Sequence, residues 1–194
     1  MKPGNLASVL ASAPLLWLAL AAPGLVLLVN YASGAMSYGE FIRWSGDIAV
    51  WLLIAMLSFS PLRRIARGNF RLWLGKRRRS FGVAVFGYAA GHLAAYLLLK
   101  ADPDVIWQEG VEAGLLTGWI AFAIFLALAL TSNDTSVQML RGAWKRLHWF
   151  IYPAAVLAAA HWILTAADPI VAVVHAVAIA LLLVMRFVPE KRKA

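Results

Sequence analysis

The chain has 194 residues, 62% of them hydrophobic, with 18 Lys and Arg against 9 Asp and Glu and no cysteine. A soluble domain is nearer half apolar, so the composition describes a membrane protein. Without cysteine there are no disulfides, thiolate metal sites or iron–sulfur clusters, and histidine remains as the main soft ligand.

Six apolar segments can be read in order, at about 13–31, 45–61, 80–99, 114–131, 149–166 and 169–187, each near the length of a membrane span. They are continuously apolar rather than alternating, which predicts helices and not a barrel. The expected fold is all-α: one transmembrane domain over 1–194, a polytopic bundle of six helices. In the first segment, Ala19-Leu20-Ala21-Ala22 resembles a signal-peptide cleavage site, but Lys2 is the only n-region charge and the apolar run continues to Val29. A retained helix is expected. Pro23 and Pro153 are expected to kink their helices rather than end them.

The second connection is strongly basic. Arg63, Arg64, Arg67, Arg71, Lys76, Arg77, Arg78 and Arg79 supply eight of the eighteen cations. With Lys2, the Arg141/Lys145/Arg146 connection and the tail from Arg186, these cations lie on one side, and only Arg43 and Lys100 lie on the other. By the positive-inside rule both termini are cytoplasmic. That orientation signal accounts for the net charge of +9 and removes any need for a nucleic-acid partner. Phe70, Leu72, Trp73 and Leu74 interleave with the arginines, which suits a segment on an anionic lipid face. The same segment, with Arg77, Arg78 and Arg79, is a candidate contact for a flavin phosphate or a quinone, although orientation alone is the simpler reading.

Four histidines sit in or beside the apolar segments. His92 lies 8 residues before Lys100, His161 lies 7 before Asp168, and His175 lies 7 after it. At about 1.5 Å rise per residue, all three rings are about 10–12 Å below the outer edge. His92 and His161 are on helices running in the same direction, and each has small neighbours: Ala89 and Ala95, or Ala154 and Ala158. Small residues admit a flat macrocycle between helices, although they also serve close helix packing. His148 ends the basic run Lys145-Arg146-Leu147 at the cytoplasmic interface. It reads equally well as a solvated interfacial histidine or helix N-terminal contact, or as a residue of a redox site. No glutamate pairs, nucleophile motif or phosphate loop accompany them, so a flavin or nicotinamide reductase fold would be a separate protein. Two functions remain: a haem electron carrier, or a cofactor-free transporter or assembly factor. The latter wants acids at the depth of the histidines, and no Glu or Asp is expected deep in a segment apart from Asp47 near the outer end of the second.

Several motifs together resemble a known family. They are Ser60-Pro61-Leu62-Arg63, Arg77-Arg78-Arg79-Ser80-Phe81-Gly82, Ala90-Gly91-His92-Leu93 and Leu130-Thr131-Ser132. To these is added Trp144-Lys145-Arg146-Leu147-His148-Trp149-Phe150-Ile151-Tyr152, with His161 thirteen residues after His148. The stretch from about 41 to 165 is similar to the membrane haem subunit of the periplasmic methionine sulfoxide reductase system (MsrQ, formerly YedZ), in the ferric-reductase-like transmembrane group. The resemblance implies a multi-pass protein of the bacterial inner membrane that binds haem b, with His92 and His161 as axial iron ligands and His148 near a cytoplasmic cofactor. It also implies electrons from a cytosolic flavin reductase or the quinone pool, FMN as a further cofactor, and a periplasmic molybdenum enzyme as acceptor. The chain would then be an electron-transfer subunit of an oxidoreductase system, with no catalytic residue of its own. It departs from the family at Gly114-Leu115-Leu116-Thr117-Gly118, where an Arg-Pro-Tyr-like motif is expected, and in the additional His175. Both departures leave room for a different acceptor, as in a ferric-reductase-like or other haem membrane reductase. On this reading haem sits between helices three and five. A flavin or quinone by His148 feeds it, His175 is an alternative ligand, and Tyr88, Tyr96 and Trp162 are packing residues with pocket roles in reserve.

Overall fold

The computed structural model describes residues 12–187, so Lys2 and the tail cations Lys191, Arg192 and Lys193 lie outside it. Within that range the helices are α1 (Ala13–Ala32), α2 (Tyr38–Ile65), α3 (Gly68–Lys100), α4 (Pro103–Gly110), α5 (Ala113–Leu130), α6 (Asp134–Leu140), α7 (Gly142–His148), α8 (Ile151–Thr165) and α9 (Pro169–Phe187). Six spans are long and apolar enough to cross a membrane, with α7 and α8 together forming the fifth. No strand occurs among the described residues.

Local chemistry sets the helix ends. Ser37 and Glu40 form a reciprocal capping box at the start of α2, which satisfies donors that have no partner inside the helix. Asp102 accepts from Asp104 N and Val105 N before Pro103 opens α4. Asp168 does the same for α9, accepting from Ile170 N at 2.9 Å and Val171 N at 3.4 Å. Ala101, left-handed at φ 48°, ends α3.

The basic stretch 62–79 is not a separate surface segment. α2 continues to Ile65 and α3 begins at Gly68, which leaves Ala66 and Arg67 as the connection. Arginine and lysine are good helix formers, so the helices run on past the apolar limit read from hydrophobicity. The 33 residues of α3 measure about 50 Å, against a hydrocarbon core of about 30 Å. Its first turns therefore carry Arg71 to Arg79 beyond the core.

The helices close into a ring. α2 packs on α3, α3 on α5, α5 on α8, α8 on α9 and α9 back on α2. The α3 and α8 walls thus face each other across the centre. A core of Leu53, Met56, Leu57, Val85, Phe125 and Ile179, joined by the fully buried Ala154 and Ala155, fills the middle. The ring's outer faces expose large apolar side chains, among them Trp51, Leu98 and Val184, as lipid-facing surfaces do.

α1 lies outside the ring against α2 and α3. Its attachment to α3 is specific. The Tyr88 hydroxyl accepts from Gly24 N at 2.7 Å and donates to Leu20 O at 2.9 Å, so it is inserted into one i, i+4 step of α1 beside Pro23. A side chain inserted into the ladder is a recognised cause of helix bending, and here it supplements the proline. α1 is continuous through Ala19–Ala22.

Candidate functional site

Inside the ring is a cavity of about 550 Å³, lined by residues of α2, α3, α5, α8 and α9, with His92 and His161 on opposite walls. The two imidazole centroids are 6.3 Å apart with their planes at 83°. Two metal–imidazole bonds of about 2.0 Å each, plus the half-width of each ring, come to about 6 Å, so the separation of the centroids would suit one metal ion held by both rings.

Each ring is oriented by backbone. The His92 Nδ1 lies 3.1 Å from Ile42 O and 3.2 Å from Ser45 Oγ, while the Ser45 hydroxyl itself donates to Ile42 O at 3.0 Å. The His161 Nδ1 lies 2.8 Å from Gly114 O. A carbonyl can only accept, so in both rings Nδ1 carries the proton and Nε2 keeps its lone pair. No described residue hydrogen-bonds to either Nε2. This is the tautomer that a histidine ligand adopts when its other nitrogen is held by a carbonyl.

Two glycines make room for these rings. A Cβ at Gly118 would stand 2.7 Å from the His161 Nδ1, and one at Gly46 would stand 3.4 Å from the His92 Cε1 and 3.0 Å from Trp162. Gly114 and Gly118, one turn apart on α5, present to His161 an acceptor carbonyl and a surface without a side chain. The signal for this was the Gly-x-x-x-Gly spacing itself, a known device for close helix approach. Ser45 and Gly46 carry no such pattern.

Among the described residues no group of three or more His, Cys, Asp or Glu could hold a metal ion. A metal held by His92 and His161 would therefore depend on a group that carries further ligands of its own. The rest of the lining is largely apolar, including Val50, Leu53, Leu93 and Phe122, with Arg43, Asp47, Tyr96 and Asp168 also present. An apolar slot between two opposed imidazoles, with glycine where a methyl group would collide, suits a flat metallated macrocycle.

The other histidines are placed differently. His175 is 4% exposed, its Nδ1 lies 2.9 Å from Val171 O one turn back, and its Nε2 has no partner. It sits edge-on to Trp51 at 4.7 Å and Trp162 at 5.8 Å and does not line the cavity. His148 lines a second cavity of about 390 Å³ with Arg78, Arg79, Lys145 and Arg186. Its ring stacks on Trp144 at 3.9 Å, with Nδ1 3.1 Å from Trp144 O and Nε2 3.4 Å from Ser132 Oγ. Arg79 pairs with Asp134 at 2.7 Å and Arg78 donates to Ser60 at 3.3 Å, while Arg77 lines neither cavity. Val85 and Phe125 line both cavities, so the two chambers meet at this apolar pair.

Of the residues kept in reserve, Tyr96 and Trp162 line the first cavity and Tyr88 lines neither. The Tyr96 hydroxyl donates to Glu109 at 2.8 Å, and Lys100 holds the same carboxylate at 2.5 Å. Lys100 above all, then Tyr96, holds the Glu109 carboxyl below its usual range.

The family profile of the ferric reductase like transmembrane component matches residues 45–159, which contain His92 and His148 and stop two residues short of His161. The chain is 31% identical over 181 residues to the protein-methionine-sulfoxide reductase heme-binding subunit MsrQ of Yersinia pseudotuberculosis (serotype O:1b, strain IP 31758), covering 89% of this chain and 87% of that one. The MsrQ of Yersinia pestis (strain Pestoides F) matches at the same 31%, over 89% of this chain and 86% of its own length. No solved structure matches. The chain is a multi-pass protein of the bacterial inner membrane, and it belongs to the MsrQ family within the ferric-reductase-like transmembrane group.

Proposed function

We propose that this chain holds one haem b between His92 and His161 and serves as the transmembrane electron-transfer subunit of a reductase. One arrangement carries this reading: two imidazoles on opposite walls of an apolar chamber, 6.3 Å apart, each with Nδ1 held by a carbonyl and Nε2 bare. His92 and His161 would hold the haem b, and when bound it would supply a one-electron couple. The chain's own contribution is to fix both tautomers, hold the two rings apart and exclude water with Val50, Leu53, Val85 and Phe125.

The positive-inside rule puts the Arg71–Arg79 end and both termini in the cytoplasm. Electrons then enter at the second chamber, where Arg78, Arg79, Lys145 and Arg186 favour an anionic group beside His148. The phosphate of FMN or the carboxylates of a second haem would satisfy it, while a quinone would take only hydrogen bonds there; the feed would be a cytosolic flavin reductase or the quinone pool. Val85 and Phe125 separate this chamber from the haem site by a thin apolar layer. On the opposite face, the relatives' name points to a methionine sulfoxide reductase as acceptor, a periplasmic molybdenum enzyme by the resemblance set out above.

The test is a reduced-minus-oxidised spectrum of the purified protein. His92→Ala and His161→Ala should each abolish the b-type bands of this site, and His175→Ala should keep them. Full haem content in either of the first two variants would sink the assignment.

A further inference from the structure

We propose that Arg43 anchors a carboxylate of the macrocycle at the mouth of the outer chamber, an inference that rests on the bis-histidine site above. Arg43 lies on α2 three residues before Gly46 and two before Ser45, in the same stretch that orients His92, and it lines the chamber. Arg43 is exposed and forms no ion pair among the described residues; it lies over the Trp44 ring at 5.3 Å and acts on Glu40 and Asp47 of α2 only at longer range. The other cation at this end, Lys100, is held by Glu109 at 2.5 Å. The acids at the mouth do not take its place. Asp168 spends an oxygen on Ile170 N and Val171 N, and Asp47, one turn along α2, makes no ion pair with Arg43.

The direction of the macrocycle follows from charge. Haem b carries two carboxylates, and a carboxylate left unpaired in an apolar interior is costly. The inner end of the chamber is closed by the apolar pair Val85 and Phe125, and no arginine or lysine lines the chamber on that side of them. The acidic edge must therefore face the mouth, where Arg43 offers a planar fork suited to a carboxylate. Arg43 is in this sense a positioning residue for the group and not a ligand of the metal.

The experiment measures transfer of haem from the purified holoprotein to excess apomyoglobin, for the natural chain, Arg43→Gln and Arg43→Lys. It is repeated after exchange of the haem for iron protoporphyrin IX dimethyl ester, which has no carboxylate. With the diacid, Arg43→Gln should release haem about tenfold faster, as loss of one charge-assisted hydrogen bond implies, and Arg43→Lys should fall between. With the ester, the natural chain and Arg43→Gln should release at the same rate. Equal release of the diacid, or a difference that survives esterification, would overturn the role of Arg43 while leaving the bis-histidine site in place. A natural chain without b-type bands would overturn both.

Discussion

Adding one methyl group at Gly118 tests the site at its tightest point. A Cβ there would lie 2.7 Å from Nδ1, 2.9 Å from Cε1 and 3.1 Å from Cγ of His161. Ordinary non-bonded contacts begin at about 3.5 Å, so the imidazole must move by about 0.5–1 Å. If the ring moves away from α5, the bond from Nδ1 to Gly114 O, now 2.8 Å, lengthens to about 3.3–3.8 Å, where it is weakened or lost. Loss of such an outer partner costs a metal site about 10–100-fold in affinity. Gly118→Ala should therefore lower haem retention by that factor and shift the midpoint potential, both read on purified protein by haemochrome assay and redox titration. Gly91→Ala is the matched control, since a Cβ there meets nothing within 4 Å, and it should behave as the natural chain does. If Gly118→Ala retains haem as tightly as Gly91→Ala, His161 is not held by α5 in the way argued.

Other outcomes follow from the same contacts. Tyr88→Phe removes the hydroxyl that joins Leu20 O and Gly24 N, and it should lower stability in detergent by about 1 kcal/mol, or about 2–4 °C in Tm. Its haem bands should be unchanged, and a loss of haem without a loss of stability would contradict the tethering role. Glu109 has its pKa lowered in the fold by Lys100 first and Tyr96 second, so its contribution is present above the unfolded value of about 4.3 and lost as pH falls through the folded one. Thermal unfolding followed from pH 7 to pH 3 should show a shallower acid limb in Glu109→Gln, and an unchanged limb would remove this carboxyl from the account. His148→Ala should keep the bis-histidine bands while slowing reduction from the cytoplasmic side, assayed by stopped-flow with a quinol analogue. Complete loss of the bands would relocate the haem.

The six spans were legible in the sequence because hydrocarbon admits no exposed backbone, so each crossing must be one long apolar run. Helix ends were less so. α3 begins at Gly68 rather than near 80, because arginine and lysine sustain a helix wherever their charges reach water or headgroups. The opposed histidines were also legible, through depth counted from Lys100 and Asp168 at a fixed rise per residue. Ser45, Gly46 and Gly118 were hidden by the nature of their role. Each acts by lying against a ring on another helix, and no single-chain periodicity records which helix that is. The segment Gly114–Gly118 stood out only as a departure from the family's expected motif, yet in space it backs His161.

His175 shows why depth alone does not identify a ligand. It shares the calculated level of His92 and His161, and its Nδ1 is likewise satisfied by a carbonyl, so two of the three criteria are met. It fails on access. Its Nε2 is enclosed at 4% residue exposure against the edges of Trp51 and Trp162, whereas an iron–porphyrin needs an open face at the ligating nitrogen. Binding there would require one of these tryptophans to move aside. Trp162 borders the chamber on one side and His175 on the other, so it stands between His175 and the chamber that His92 and His161 line. Enlarging the chamber with Trp162→Ala should open the His175 ring to the macrocycle. That change would make it a competing ligand, visible as a second low-spin species in a chain that otherwise shows one at this site.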